Sequence, residues 1–347
     1  MTTTRLSLSG LYRLPWSVPD NIISWIEPTK NCNLSCPGCY SLNSPGAHRP
    51  AAEVSAELRR IAEGARSDVL AIGGGEPLTY PGLTELTAEA KALGFKPFLN
   101  TNGLLATAER LKELKAAGLA GVTFHVDSLQ NRPGWEGADE EKLNALRAGL
   151  GALCRPLGLT CYFSMTVTGS NLPGVPAVLR WARANPATAH MALFISYKEP
   201  AAGGTASAGA EAPLPEVWAR AAEAEPGLEA AGYVNSALKF SKAKWLVSLA
   251  AVSPSAGVLG YFGPRALEAL QAVPHLLRGR YPGSAAPRWQ RAGRLFSLLT
   301  LWDRGARRAA LRAFLEPAAW TSPVWLQPLV FIEPDTLVKD GRPVFFL

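Results

Sequence analysis

Between Asn21 and about Pro200 short β-rich runs alternate with helical ones, and this alternation restricts the chain to repeated βα units around a parallel sheet. Six strands are expected, at Ile22 to Glu27, Val69 to Ile72, Pro97 to Asn102, Gly121 to Asp127, Thr160 to Val167 and His190 to Tyr197. Helices at Ala52 to Gly64, Leu83 to Leu93, Thr107 to Ala117, Glu140 to Cys154 and Val175 to Ala184 fill the gaps. At 347 residues the chain has room for one large α/β barrel with an extension, or for two domains sharing an interface. The strand count matches a partial (β/α)6 TIM-type barrel, an α/β fold, with a mainly helical C-terminal extension. The expected division is an N-terminal segment at 1–20, the barrel at 21–200, a linker or loop at 201–213 and a cap or substrate domain at 214–347. The linker rests on the run Ala201 to Ala210, built from Ala, Gly, Ser and Thr alone.

Successive side chains of a strand face opposite ways, so a barrel strand has an interior and an exterior set. In the fourth strand Val122, Phe124 and Val126 oppose Thr123, His125 and Asp127; in the fifth, Phe163, Met165 and Val167 oppose Tyr162, Ser164 and Thr166. An apolar face toward the helices and a polar face inward imply a functional lumen, because an ordinary barrel fills its centre with branched aliphatics. The third strand ends Asn100-Thr101-Asn102-Gly103, which adds polar groups at the C-terminal strand ends, where barrel active sites sit.

The first strand runs into Cys32-Asn-Leu-Ser-Cys36-Pro-Gly-Cys39, three cysteines in eight residues. A structural zinc site wants four closed ligands, whereas a [4Fe-4S] cluster held by three cysteines keeps one iron open. His48, nine residues beyond Cys39, could close a Cys3His zinc site and stands as the alternative. Cys154 and Cys161 read as buried structural thiols. Five cysteines, an odd number with three clustered, argue against a disulfide framework and for a reducing compartment. Nothing in Met1 to Asp20 reads as a secretory signal, so a cytoplasmic location is expected.

Thirty-four residues after Cys39, at the end of the second strand, comes Gly73-Gly74-Gly75-Glu76-Pro77. Glycines there let backbone approach a ligand closely, and a neighbouring glutamate can accept hydrogen bonds from an ammonium group. The two motifs together, over about residues 20 to 200, resemble the radical S-adenosylmethionine (radical SAM) superfamily, whose members carry a CxxxCxxC loop after the first barrel strand and a GGE-type motif after the second. The resemblance implies that Cys32, Cys36 and Cys39 hold a [4Fe-4S] cluster whose open iron SAM would chelate. It also implies that Gly74, Gly75 and Glu76, with Gly73 before them, hold the SAM amino group. By strand position, Asn102, the pair His125 and Asp127, and Ser164 and Thr166 resemble residues that meet SAM or substrate. Many family members have an aromatic residue where this chain has Gly38, and Tyr40 is expected to take over packing on the adenine. The activity implied is reductive cleavage of SAM to a 5′-deoxyadenosyl radical that takes hydrogen from an unactivated carbon, with an external donor of the flavodoxin or ferredoxin type supplying the electron. No cysteine follows Cys161, so an auxiliary-cluster (SPASM) domain is not expected, nor is a preceding cobalamin segment.

The excess positive charge lies in one place: from Lys239 to Arg312 three lysines and ten arginines face Glu268 and Asp303, a net +11. Such a segment suits phosphate-bearing partners, or is a set of solvated helix faces. Six of the ten tryptophans also lie beyond the linker. Trp245 to Pro264 is uncharged for twenty residues, but Ser253-Pro254-Ser255, Gly257, Gly260 and Gly263 break it, so a pair of short interfacial or pocket-forming helices is expected rather than a span. Arg288 to Leu315 has the composition of a basic amphipathic element at a membrane surface, with core packing as the plainer reading. Leu329 to Ile332 and Val344 to Leu347 read as strands around a Lys339-Asp340-Gly341 turn. Three functions follow: a radical SAM enzyme on an apolar or lipid-like substrate with peripheral membrane contact, the same chemistry on a soluble metabolite, or a nucleic-acid-binding iron-sulfur protein, the last disfavoured by Glu76 beside its glycines.

Overall fold

A computed structural model describes residues 7–14, 23–41, 43–199, 207–235 and 242–334. Its strands are β1 (Tyr12–Arg13), β2 (Ser24–Thr29), β3 (Val69–Gly74), β4 (Lys96–Thr101), β5 (Gly121–His125), β6 (Thr160–Val167), β7 (Met191–Ser196), β8 (Gly232–Asn235), β9 (Ala243–Ser253), β10 (Gly257–Tyr261) and β11 (Trp325–Ile332). The helices of the barrel units are α1 (Ala51–Gly64), α2 (Leu83–Ala92), α3 (Ala108–Ala116), α4 (Leu143–Cys154) and α5 (Val175–Ala184). Beyond them come α6 (Leu214–Ala224), α7 (Pro264–Arg278), α8 (Pro287–Gln290), α9 (Gly293–Leu299), α10 (Arg304–Leu315) and α11 (Pro317–Trp320).

Strands β2 to β7 pair in chain order, all parallel, as right-handed βα crossovers require. All six expected barrel strands form, with shifts of one or two residues at most ends. Each helix docks through residues three and four apart; in α5 these are Val175, Val178, Leu179 and Ala182. Val122, Phe124, Val126, Phe163, Met165 and Val167 all lie in the main core with the helices, so the outward face of β5 and β6 is the apolar one.

The extension keeps its helices but also adds strands to the barrel sheet, which runs β1-β8-β9-β11-β7-β6-β5-β4-β3-β2. β11 lies parallel to β7, with Leu329 opposite Ala192, and antiparallel to β9, with Leu329 opposite Ser248. The uncharged run expected as two short helices is the hairpin β9–β10, a correction with a clear cause. Every residue of β9 is buried, so apolar residues stand on both faces, with only Lys244, Ser248 and Ser253 polar, and the pattern carries no period that tells helix from strand. Leu329 to Ile332 is the end of β11, while the Lys339 turn, the Val344 to Leu347 strand and residues 201–206 of the linker lie outside the described residues.

The sheet curls: inside it Ile23, Met191 and Leu193 pack against Val69, Phe98 and Tyr162 on one side and against Trp245, Val330 and Ile332 on the other. Below, the segment from Tyr281 to Ala286 crosses the N-terminal ends of the strands. The Tyr281 carbonyl accepts from Asp68 N, Ser284 O from Lys96 Nζ at 2.7 Å and Ala285 O from Thr160 Oγ1, while Tyr162 OH meets Ser284 Oγ at 2.8 Å.

Candidate active site

The loop after β2 is tied down before any metal is considered. Asn43 clamps it from inside: its Oδ1 accepts from Cys32 N at 3.0 Å and its Nδ2 donates to the carbonyls of Cys32 and Leu34. Thr29 Oγ1 accepts from Asn31 N and lies 2.9 Å from His48 Nδ1. The result presents Cys32, Cys36 and Cys39, all free thiols and half-buried, on the wall of one cavity. Burial pushes all three thiols up, Cys36 to about 12 with Asp127 and its two sister cysteines adding to the effect. A metal centre reverses this by taking the thiolate outright, so three cysteine thiols on one cavity wall fit a thiolate-bound iron-sulfur centre. His48 stays with Thr29 and the Tyr80 ring, outside the cavity.

Gly38 has a left-handed φ of +68°, and a Cβ there would lie 2.4 Å from the Tyr197 ring. An aromatic residue at 38 is therefore excluded by Tyr197, which itself lines the cavity. Tyr40, the expected substitute, also lines the cavity, but its hydroxyl is fixed to Glu27 Oε1 at 3.0 Å beside Trp25 Nε1 at 2.8 Å. Burial and Glu27 hold that phenol well above its ordinary range, so Tyr40 stays neutral and closes the loop whatever else it touches.

The end of β3 lies directly behind the cysteine loop. Gly75 N and Glu76 N donate to the carbonyls of Thr29 and Asn31, and a Cβ on Gly75 would stand 2.3 Å from the Asn31 carbonyl oxygen. Only a residue without a side chain permits this approach. Gly75→Ala is expected to displace the loop carrying Cys32 and to lower iron and sulfide bound per chain after anaerobic reconstitution severalfold; wild-type loading would show that the loop accommodates the methyl.

Gly73, Gly74 and Gly75 line the cavity, but Glu76 does not. It is fully buried behind the wall, where its Oε1 accepts from Thr101 Oγ1 at 2.7 Å and Leu78 N at 3.0 Å, and its Oε2 from Asn102 N at 2.9 Å. Burial raises its pKa against these bonds. In this arrangement the side chain braces the ends of β3 and β4, and the glycine backbone is what meets the cavity. Asn102, fixed by Glu76, does reach it, donating from Nδ2 to Asn33 Oδ1 at 2.7 Å and lying 3.9 Å from Cys32 Sγ.

The polar residues at the ends of β5 and β6 come together. His125 Nε2 lies 2.8 Å from Asp127 Oδ2 and 3.2 Å from Thr166 Oγ1, and Nδ1 lies 3.1 Å from Ser164 Oγ. All four line the cavity. Asp127 is buried; burial alone would raise it, but His125 and the Thr166 N–H hold its carboxyl below the usual range. Its Oδ1 also accepts from Leu129 N and caps the turn Ser128–Gln130. That turn aims Arg132, which sequence reasoning missed. Arg132 is 2% exposed, donates to Gln130 Oε1 at 2.8 Å and to the Asn102 carbonyl, and places a cation near Cys36, Asp127 and Glu76. The signal was present in Asp127-Ser-Leu-Gln130, a capping box that fixes the chain direction and ends two residues before Arg132.

The cavity, of about 1160 Å3, runs from the cysteines down the lumen. Its upper end is polar, and its middle is lined by Trp25, Ala71, Phe98, Leu193, Trp245 and Val330.

Residues 26–182 match the family model of the radical SAM superfamily. The chain is 30% identical over 183 residues to the AdoMet-dependent heme synthase of Methanosarcina barkeri, covering 50% of each. It is 27% identical over 184 residues to the PqqA peptide cyclase of Xanthomonas campestris pv. campestris, covering 51% of this chain and 49% of the other. The structure of SuiB from Streptococcus suis with S-adenosylmethionine aligns over 60% of this chain and 53% of that one, with 17% identity and a TM-score of 0.46. The chain thus spans about half the length of the curated relatives it matches. The matched stretch carries both the cysteine loop and the glycines packed behind it, and that stretch is a radical SAM domain, of a superfamily that uses a [4Fe-4S] cluster and SAM.

Proposed function

We propose that the protein is a radical SAM enzyme acting on an apolar or lipid-like substrate, leading to methylation, carbon-carbon bond formation or cyclisation. Cluster and SAM, when bound, supply a 5′-deoxyadenosyl radical able to take hydrogen from an unactivated carbon. Cys32, Cys36 and Cys39 would hold the cluster and the backbone of Gly73 to Gly75 the SAM amino group, with Glu76 as the positioning residue behind them. Tyr40, Asn102, His125, Asp127, Ser164 and Thr166 would surround the cofactor or the reacting end of the substrate. An external donor of flavodoxin or ferredoxin type would deliver the electron.

The apolar middle of the lumen is the observation that carries the substrate class. Apolar surface predominates on its walls, with Asn100 and Thr123 among the polar groups beside it, so a hydrocarbon chain finds contact along the lumen at less desolvation cost than a polar metabolite. A substrate chain held along the lumen would also keep its reacting carbon near the cleavage site, where positioning contributes most. Among the described residues no helix is long and apolar enough to cross a membrane. We further propose a cytoplasmic protein with peripheral membrane contact.

The test is anaerobic reconstitution with SAM and reductant, measuring 5′-deoxyadenosine as substrates are added. A membrane lipid extract should stimulate product formation and an aqueous metabolite pool should not. The reverse result would favour a soluble small molecule. Salt-sensitive RNA or DNA binding with SAM left intact would favour the nucleic-acid reading.

A further inference from the structure

The cavity does not stop at the floor of the barrel. It continues past the segment from Tyr281 to Ala286 to a second set of lining residues that includes Leu267, Leu270, Arg278, Arg280, Arg288 and Trp289. Arg278 and Arg288 are exposed and Trp289 is 61% exposed, so this end opens on solvent at the N-terminal side of the strands, opposite the cysteines. Six-residue strands at about 3.3 Å per residue separate the two ends by about 20 Å.

The chemistry of the rear mouth is unlike that of the lumen. None of Arg278, Arg280 and Arg288 forms an ion pair among the described residues. Arg280 is held over the Phe95 ring at 4.7 Å and donates from Nη2 to the Leu93 carbonyl, leaving its buried Nη1 without a partner. Gln290, 4% exposed and also lining the cavity, has a buried Oε1 without a partner. The nearby carboxylate, Asp68, is already taken by Lys96 at 2.6 Å and by Gly283 N. An unpaired donor, an unpaired acceptor and uncompensated positive charge at one opening fit an anionic, hydroxyl-bearing group.

Beside the mouth, α7 is apolar on two faces. Leu267 and Leu270 face the cavity, while Val273, Leu276 and Leu277 are 53%, 81% and 78% exposed. Residues at this spacing share one face, and with Trp289 they form an apolar rim edged by arginines. Soluble proteins seldom leave such a rim uncovered, and apolar side chains among arginines suit the boundary of an anionic bilayer.

We infer that the barrel is entered from behind: the rear mouth docks on an anionic membrane, Arg278, Arg280 and Arg288 take a lipid headgroup, and the hydrocarbon chain threads up the lumen toward Cys32, Cys36 and Cys39. This rests on the lipid-like substrate proposed above and adds the membrane face, the headgroup class and the direction of the chain.

The test uses the full chain, ω-bromododecyl phosphate and an isomer brominated next to the phosphate, with Trp245→Phe and Trp289→Phe identifying which tryptophan is quenched. Chain-end bromine should quench Trp245 in the lumen, and head-proximal bromine should quench Trp289. The double variant Arg278→Glu/Arg288→Glu, both on the surface, should weaken flotation with phosphatidylglycerol vesicles about tenfold or more and remove the Trp245 quench. Quenching of Trp245 by the head-proximal isomer, or quenching that survives the double variant, would overturn rear entry while leaving a lipid-like substrate standing. Displacement by equimolar inorganic phosphate would reduce the mouth to a free-anion site and overturn the inference as well. No quenching by either isomer in a folded protein would remove the lipid reading together with the inference.

Discussion

Cys36→Ala is expected to abolish 5′-deoxyadenosine formation in the reconstituted protein, and Cys154→Ala to leave it near the wild-type level. The two thiols differ in what surrounds them. Cys36 stands on the cavity wall with Cys32 and Cys39 near enough to raise its pKa, so its loss leaves two ligands where a cluster needs three. Cys154 is 1% exposed in α4, packed in the main core beside Cys161 at 0%. Trimming it to alanine removes one buried sulfur, a loss of about 1 kcal/mol that lowers stability without touching the site. Product chromatography with iron and sulfide analysis checks both variants, and an equal loss in both would overturn the ligand assignment.

Arg147→Met is expected to destabilise the fold by about 3–5 kcal/mol, because it strands a buried carboxylate. Arg147 is fully buried. Its Nη1 donates to the Glu140 carbonyl and Asn144 Oδ1, each at 2.8 Å, and its Nη2 to the Val126 carbonyl at 2.8 Å and the Glu140 carboxylate at 2.5 Å. Without the guanidinium, Glu140, 2% exposed, keeps only the Ser128 N–H at 2.8 Å and Asn171 Nδ2 at 3.4 Å. A lysine cannot reproduce the fork, so Arg147→Lys should restore little. Adding Glu140→Gln to Arg147→Met removes the stranded charge and should recover part of the loss. Denaturant unfolding measures all three, and a cost below about 1 kcal/mol for Arg147→Met would refute the account. Since Val126 and Ser128 flank Asp127, the same network fixes the strand end that carries His125 and Asp127.

The barrel was legible because its strands write their two faces plainly: β5 and β6 alternate apolar and polar residues, and a period of two cannot be mistaken over such lengths. The cysteine loop and the glycines behind it were legible because their chemistry needs those residue types at fixed places. β9 was not, since a strand buried on both faces has no alternation to read. Glu76 shows a different limit. Sequence places a carboxylate beside glycines at a strand end, but whether it faces the cavity or turns back onto Thr101 and Asn102 is decided by the neighbouring strand β4. Arg132 and Arg147 were missed because a buried arginine looks like any surface arginine until its partners, brought from other elements, are known.

The side-by-side pairing of β7 with β11 has a consequence for how the molecule is made. Ala192 and Leu329 meet across more than a third of the chain, a high-contact-order closure that slows folding. As the polypeptide leaves the ribosome, β2 to β7 can assemble first, with the outer edge of β7 bare until β11 arrives. During that interval the nascent barrel is open along its side, so the enclosed cavity exists only after nearly all of the described chain has been translated.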